Sequence, residues 1–429
     1  MGRDRLSVLV YPHDMAMGGS QLNAIELAGA VRDLGHDVTV VGDDGPLVQL
    51  VHDLGLRHVP IPHSRRRPSP TVTRQLRRLI RDDGVHIVHG YEWPPALEAA
   101  AATFAAGDAT AVCTVMSMAI APFLPKDMPL VVGTRALQVQ TAAGRPGPTY
   151  LIEPPVDVVA NAPGHPADEF RARFGLVDDH PAGPVVDVVV VCRLVPELKL
   201  EGVLTAVDVV GELAREIPVR LVVVGDGNAR AQVEDRAAKA NARAGRRAVV
   251  LTGQLMDPRP AYAAADIMLG MGGSALRSLA FAKPLVVQGE QGFWELLTPD
   301  TCDVFLRQGW YGVGNDSEAG HDRLTAILRT LLSDPHQRAA LGDYGRRLAV
   351  GRFSLQRAAV KQEEIYRAAL AAPSRPTLAQ AGGGLRSASG VLGHKVRQRY
   401  RSLRGTRKAD DFNAVSLAKS ALEAPQRDD

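Results

Sequence analysis

The stretch that decides the fold is DIMLGMGGSALRSLAFAKPLVV, from Asp266 to Val287. Ile267 to Leu269 is a short apolar run ending in Gly270, Gly272 and Gly273. Ala275 to Ala282 then has helix-forming composition, and Pro284 stops it before the apolar Leu285 to Val287. This order predicts strand, glycine-rich turn, helix and strand, the repeating unit of a parallel sheet. The helix starts at a loop with almost no side chains. Its first-turn amides lack partners within the helix and carry the positive end of its dipole, so Gly272, Gly273 and Ser274 suit a phosphate or sugar oxygen. The competing reading of the same glycines is a tight turn packed against a neighbouring strand.

The same alternation extends upstream. Val185 to Val191 is an aliphatic run of the kind buried on both faces of a parallel sheet. It leads through CRLVPELKLEG to a helix over Val203 to Glu216, then to a strand over Val219 to Val224 ending in Gly225, Asp226 and Gly227. A helix over Arg230 to Arg243 and a strand over Ala248 to Leu251 follow. Nearer the N-terminus, Leu6 to Tyr11 reads as a strand, PHDMAMGGS as a turn, and Leu22 to Leu34 as a helix closed by Gly35 before the strand Val38 to Val41. The tetrapeptide MGGS occurs at both helix starts, which suggests two βα domains presenting matching helix N-termini. Val85 to Val88 is another strand, with His89, Tyr91, Glu92 and Trp93 at its ligand-facing end, and strands follow at Ala111 to Val115 and Leu130 to Val132. Pro and Gly over Gly144 to Pro166 mark the crossing between domains, giving boundaries at 1–165 and 166–351, with a helix at about 352–371 returning to the first domain. The fold class is therefore α/β, with two doubly wound parallel-sheet domains.

A length of 429 residues with 45% hydrophobic content suits two cores. Cys113, Cys192 and Cys302 lie far apart and offer neither a disulfide framework nor a metal cluster, which points to a reducing, cytoplasmic setting. Leu6 to Tyr11 is too short for a signal segment, and no stretch approaches a membrane span. The net charge of +3 is uneven: Ala372 to Asp429 carries 11 Lys and Arg against 5 Asp and Glu, so the rest of the chain is net negative. That excludes a general nucleic-acid binder. Gly382 to Gly384 mark a linker, and Lys395 to Lys408 hold seven basic residues in a run of fourteen. The tail from 372 to 429 reads as flexible, with attraction to anionic lipid as the sharper alternative. The basic Arg65 to Arg81 region offers the same pair of readings, a solvated helix face or a membrane-docking one.

These features together resemble the family 4 type of nucleotide-sugar glycosyltransferase with the GT-B fold, over about residues 5 to 370. In the first domain the resemblance rests on Gly18, Gly19, the helix LNAIELAGAVRDLGH and Val38 to Val41. In the second it rests on Arg193 with Lys199, VVVGDGNAR at Val222 to Arg230, YAAADI at Tyr262 to Ile267, Gly270 and Gly272, AFAKPLVV at Ala280 to Val287, and Glu295. It implies two Rossmann-like domains facing across a cleft and transfer of a sugar, with retention, from a nucleoside-diphosphate donor to an acceptor hydroxyl. Arg193 and Lys199 are the expected catalytic cations. Gly225, Asp226, Gly272, Gly273, Ser274, Arg277 and Glu295 are expected on the donor, and Gly18, Gly19, Ser20, His89, Tyr91, Glu92 and Trp93 on the acceptor side. The chemistry supports the cations independently: breaking a glycosyl-phosphate bond adds negative charge to the leaving phosphate, and fixed positive charge stabilises that transition state more than the ground state. No Asp-x-Asp occurs in the chain, so neither a metal nor another cofactor is expected.

The chain departs from the family pattern at three positions. Two glutamates common around the central turn are Leu269 and Arg277 here, and a histidine common at the end of a first-domain strand is Met116. Arg277 either makes a new phosphate contact, suited to a more anionic or unusual donor, or forms a structural ion pair or points to solvent in a weakened or lost site. Phe293 and Trp294 in GEQGFWELL, and the segment QGWYGVG at Gln308 to Gly314, read either as stacking surfaces for a sugar or base or as hydrophobic lid packing. The rival functions are a noncatalytic sugar or nucleotide binder on the same fold and a GT-B sugar epimerase.

Overall fold

A computed structural model of the chain describes residues 5–62, 67–104, 109–177, 180–372, 387, 389–397 and 399–400. Two compact units are present. Met1–Pro155 and the chain from Leu355 onward form the first, and Val156–Ser354 the second. The boundary falls before Val156 rather than near residue 165, because Val156 and Val158 join the second unit's core and the Val156 amide donates to the Phe353 carbonyl at 2.8 Å.

The first unit runs β1 (Ser7–Tyr11), α1 (Gly19–Asp33), β2 (Asp37–Gly42), α2 (Val48–Asp53), β3 (Arg57–Pro60), α3 (Pro70–Asp82), β4 (Ile87–Tyr91), α4 (Trp93–Thr103), β5 (Thr110–Val115), β6 (Leu130–Val132), α5 (Arg135–Ala142) and β7 (Thr149–Leu151). Its seven strands are parallel in the order β3-β2-β1-β4-β5-β6-β7. Alternate residues of β1 feed opposite cores, Val8 and Val10 one layer and Leu9 and Tyr11 the other, as a strand's two-residue period requires. β3 and β7 escape the sequence reading because they are short edge strands without a fully buried residue, so neither shows an apolar run.

The second unit runs α6 (Asp168–Phe174), β8 (Val186–Val191), α7 (Leu200–Leu213), β9 (Val219–Val224), α8 (Arg230–Ala244), β10 (Val249–Gly253), α9 (Arg259–Ala264), β11 (Ile267–Gly270), α10 (Gly273–Ala280), β12 (Leu285–Gln288), β13 (Trp294–Leu296), α11 (Cys302–Gln308), α12 (Ala319–Ser333) and α13 (Pro335–Arg352). Its order is β10-β9-β8-β11-β12-β13, parallel except for β13. Val188 and Val190 enter one core and Val189 the other, which confirms the reading of the valine run as a doubly covered strand. At the opposite end of β8 from its Arg193 loop, fully buried Asp187 receives Arg171 at 2.9 Å and Arg220 at 2.8 Å, a pairing that offsets the burial of its charge. α14 (Leu355–Ala371) belongs to the first unit, where Leu355, Ala359, Ile365, Tyr366 and Ala369 complete the core that includes α1.

Candidate active site

In the second unit the chain builds outward from β8 to β9 and β10, then crosses to β11 on the other side of β8. The loops leaving the C-terminal ends of β8 and β11 therefore diverge and open a crevice, the usual ligand position in a doubly wound sheet. The β8 loop carries Arg193 and Lys199, and the β11 loop carries Gly272 and Gly273. Arg193 is exposed, and Lys199 is half-buried at the start of α7. Desolvation pulls the Lys199 ammonium down to a pKa of about 8; the nearby Arg193 charge adds to that fall and Cys192 opposes it. Neither cation has a carboxylate partner among the described residues. The two thus repel one another, an arrangement that an anion would relieve.

Neighbouring loops hold this one in place. Gly225 (φ +143) and Gly227 (φ +156) let the β9–α8 loop press so close that a Cβ on them would lie 1.8 Å from the Cys192 carbonyl oxygen and 2.2 Å from that of Leu194. The Leu194 amide donates to the Asp226 carbonyl at 2.9 Å, and the Ala229 amide to the Leu194 carbonyl at 2.9 Å. Asp226 itself is occupied by the Gly227 amide and by Arg230, both at 2.7 Å. Those hydrogen bonds hold its carboxyl below the usual range. Gly225 and Asp226 therefore shape the loop that carries Arg193. On the other side, Glu290 accepts from the Leu198 amide at 3.3 Å and from the Tyr311 hydroxyl at 2.5 Å. Glu201 accepts from the amides of Gln291 (2.9 Å) and Gly292 (2.8 Å). No local pattern announces Glu201, because its partners lie some ninety residues away.

At the β11 loop, Gly272 adopts φ +56 and donates its amide to the Trp310 carbonyl at 2.7 Å. A Cβ on Gly272 or Gly273 would meet nothing within 4 Å, whereas one on Gly270 would lie 2.9 Å from the Ser274 hydroxyl. Gly270 is thus the packed turn, while Gly272 and Gly273 leave open space in front of the α10 amides. Burial raises the Tyr262 phenol to about 12, against the pull of the Arg277 charge and of the Ser274 hydroxyl, so these three side chains are neighbours. Leu269 is fully buried in the core, which gives an apolar residue at that position a packing role. Glu295 lies on β13 and pairs with Arg323 of α12 at 2.5 Å. Trp294, one candidate for stacking, is instead fully buried. The ring of Phe293 packs against Gly312.

The first unit has its own switch point, between β1 and β4. Gly18 caps α1 in an extended conformation and Gly19 begins it, with open space around its Cα. Glu92 sits just past β4 in the strained left-handed region (φ 65) and accepts from Ser20 (3.3 Å), the Met116 amide (2.9 Å) and the Ser117 amide and hydroxyl (3.2 and 3.0 Å). His13, Asp14 and Gln21 join this polar cluster, with Gln21 donating to Asp14 at 2.7 Å. Burial works against ionisation of Asp14, but bonds from His13, Gln21 and the Ala16 amide outweigh it and bring the carboxyl to about 2. His13 and Asp14 sit in the quoted turn and Gln21 just after it in α1, yet their type alone does not mark them.

His89 and Tyr91 correct the sequence reading. His89 is fully buried, bonded to the Tyr366 hydroxyl at 2.8 Å and to Thr114 at 2.7 Å, and burial lowers its pKa to about 3. Tyr91 packs beside it, with ring centroids 4.5 Å apart and 1% of its surface exposed. Both point into the core layer beneath α14, because β4 is covered on both faces, so neither is exposed to a ligand. Trp93 packs on Phe123, with ring centroids 5.2 Å apart.

Two family models match the chain, one on each unit: Glycosyltransferase Family 4 over residues 17–129 and Glycosyl transferases group 1 over 186–329. No curated protein matches it. Among solved structures, a glycosyltransferase from Rickettsia africae has a TM-score of 0.66 at 16% identity, covering 86% of this chain and 100% of that one. HepE of Anabaena in complex with UDP-glucose has a TM-score of 0.62 at 16% identity, over 84% of this chain and 98% of its own. The catalytic domain of starch synthase IV from Arabidopsis thaliana, bound to ADP and acarbose, has a TM-score of 0.58 at 13% identity, over 86% and 100%. With its two doubly wound units and with a matching model on each, covering more than half of its length together, the chain belongs to the family 4 type of GT-B glycosyltransferases.

Proposed function

We propose that this glycosyltransferase takes its sugar from a nucleoside-diphosphate donor held by the second unit and passes it, with retention and without a metal, to a hydroxyl on an acceptor held by the first. The observation that carries the donor reading is the pair Arg193 and Lys199, crowded together at a switch point with no carboxylate among the described residues to neutralise them. The bond between the anomeric carbon and the diphosphate oxygen breaks, and the leaving diphosphate takes up negative charge beside the two cations and the first-turn amides of α10 at Gly273 and Ser274. The acceptor oxygen bonds to the same carbon and its proton passes to the leaving phosphate. Each charge-assisted contact contributes roughly 1.5–3 kcal/mol, so losing one lowers the rate about ten- to a hundredfold. UDP-glucose in HepE and ADP in starch synthase IV support trying uridine and adenosine diphosphate sugars first.

Ser20, Gly19 and the cluster around Glu92 offer polar groups to an acceptor. Among the described residues no helix is long and apolar enough to cross a membrane, and the exposed Arg74, Arg78 and Arg81 of α3 suit work at an anionic membrane surface. The decisive experiment is a panel of nucleotide sugars assayed with wild type and Arg193→Ala. Transfer or hydrolysis that falls at least about tenfold in the variant supports the reading. Binding that never leads to transfer or hydrolysis favours a noncatalytic binder, and undiminished turnover in the variant removes Arg193 from the site.

A further inference from the structure

Part of the basic tail is folded. Residues 389–397 and 399–400 are helical, whereas the sequence alone reads 372–429 as flexible. Val391 is buried in the first unit's core layer that also takes Leu76 and Ile80 of α3 and Ala96 of α4. The His394 ring lies 5.8 Å from that of Trp93 and 5.3 Å from that of Phe123. Gly390 approaches so closely that a Cβ there would sit 2.5 Å from the Phe123 Cβ. Away from this seam, Leu392, Val396 and Tyr400 recur at a spacing of four and so share one helical stripe. They are 66%, 61% and 52% exposed. Lys395, Arg397 and Arg399 are exposed around that stripe.

α3 covers the same side of the sheet, opposite the layer of α1 and α14. Its Val72, Leu76 and Ile80 face inward, while Arg74, Arg78 and Arg81 are exposed and make no ion pair among the described residues. The segment leading into α3 is anchored by Arg67 on fully buried Glu98 at 2.8 Å.

We infer that the helical residues 389–397 and 399–400 and α3 form one surface that lies on an anionic lipid bilayer. Leu392, Val396 and Tyr400 enter the boundary between headgroups and acyl chains, and the flanking basic residues meet lipid phosphates. This deepens the membrane-surface reading above and is independent of the donor chemistry. A second copy of the chain is the poorer occupant, since it would set like charges against each other and bury only a three-residue stripe.

The test is co-sedimentation of the full-length chain with vesicles of phosphatidylglycerol and phosphatidylcholine, against vesicles of phosphatidylcholine alone. The expected result is binding to the anionic vesicles that weakens with salt, with at least about a tenfold lower partition for L392D/V396D and for R74E/R78E. All of these residues are exposed, and the circular dichroism and thermal unfolding midpoint of each variant check that the first unit's fold survives. The inference is overturned by absence of binding to anionic vesicles, by binding that either pair leaves unchanged, or by a dimer in sedimentation velocity that L392D/V396D dissolves. Vesicle binding without binding of any nucleotide would sink the donor reading and leave this one standing.

Discussion

Replacing Lys199 by Met is predicted to stabilise the second unit while crippling donor binding. The free chain holds this ammonium half-buried beside Arg193, and its pKa falls from 10.5 to about 8. At about 1.4 kcal/mol per pH unit this corresponds to a cost of about 3 kcal/mol at neutral pH. Met keeps a similar length and apolar stem and carries no charge. The folded pKa lies below the unfolded one, so between about 8 and 10.5 the unfolded chain holds more protons, and stability rises with pH across that window. The advantage of Lys199→Met should therefore be largest below pH 8, shrink through the window and vanish above about 10.5. Urea unfolding of both proteins at a series of pH values, without nucleotide, reads it directly. Nucleotide binding runs the other way: wild-type affinity for UDP should weaken roughly tenfold between pH 7 and pH 9 as the ammonium deprotonates, while the variant binds weakly and evenly throughout. A variant less stable than wild type at pH 7, or wild-type affinity flat to pH 10, would refute this account of Lys199.

Gly273→Ala should leave stability unchanged or raise it by about 0.5–1 kcal/mol, because its Cβ meets nothing and Gly is unfavourable in a helix; calorimetric titration should show donor affinity down about tenfold or more. Arg277→Glu should weaken donor binding if this side chain reaches a phosphate, and unchanged affinity in the same titration would confine it to its role beside Tyr262. His89→Ala should cost about 2–4 kcal/mol by leaving a cavity and two unpaired hydroxyls, with kcat/KM of the folded protein near wild type; a large loss of kcat/KM at unchanged stability would return His89 to the acceptor side. Because burial lowers the His89 pKa to about 3, the unfolded chain binds its proton first on acidification, and the His89 contribution to the first unit's stability should decline as pH falls from about 6.5 toward 3.

The interior strands were legible because a parallel sheet covered on both faces demands aliphatic runs, and Val186–Val191 and Val219–Val224 supply them, interrupted only by Asp187 and Arg220, which pair with each other. Edge strands carry no such demand, and β3, β7 and β13 left no trace. The placement of Arg193, Lys199, Gly272 and Gly273 was legible because loop chemistry follows strand order at a switch point. Roles that depend on direction were hidden. His89 lies where a ligand-facing residue would, but one step along a strand reverses the side chain, and here it turns inward. Bracing by Glu201 and Glu290 depends on contacts across the chain that no local pattern encodes.

The two glycines flanking Asp226 carry a warning for anyone mapping this enzyme by mutation. Their missing side chains are the mould against which the backbone at Cys192 and Leu194 is cast, so any bulk at Gly225 would displace Arg193 without the nucleotide ever touching residue 225. A scan by activity alone would score such a position as a ligand contact. Only paired measurements, nucleotide affinity beside the backbone exchange rates of the preceding loop, can tell a mould from a hand.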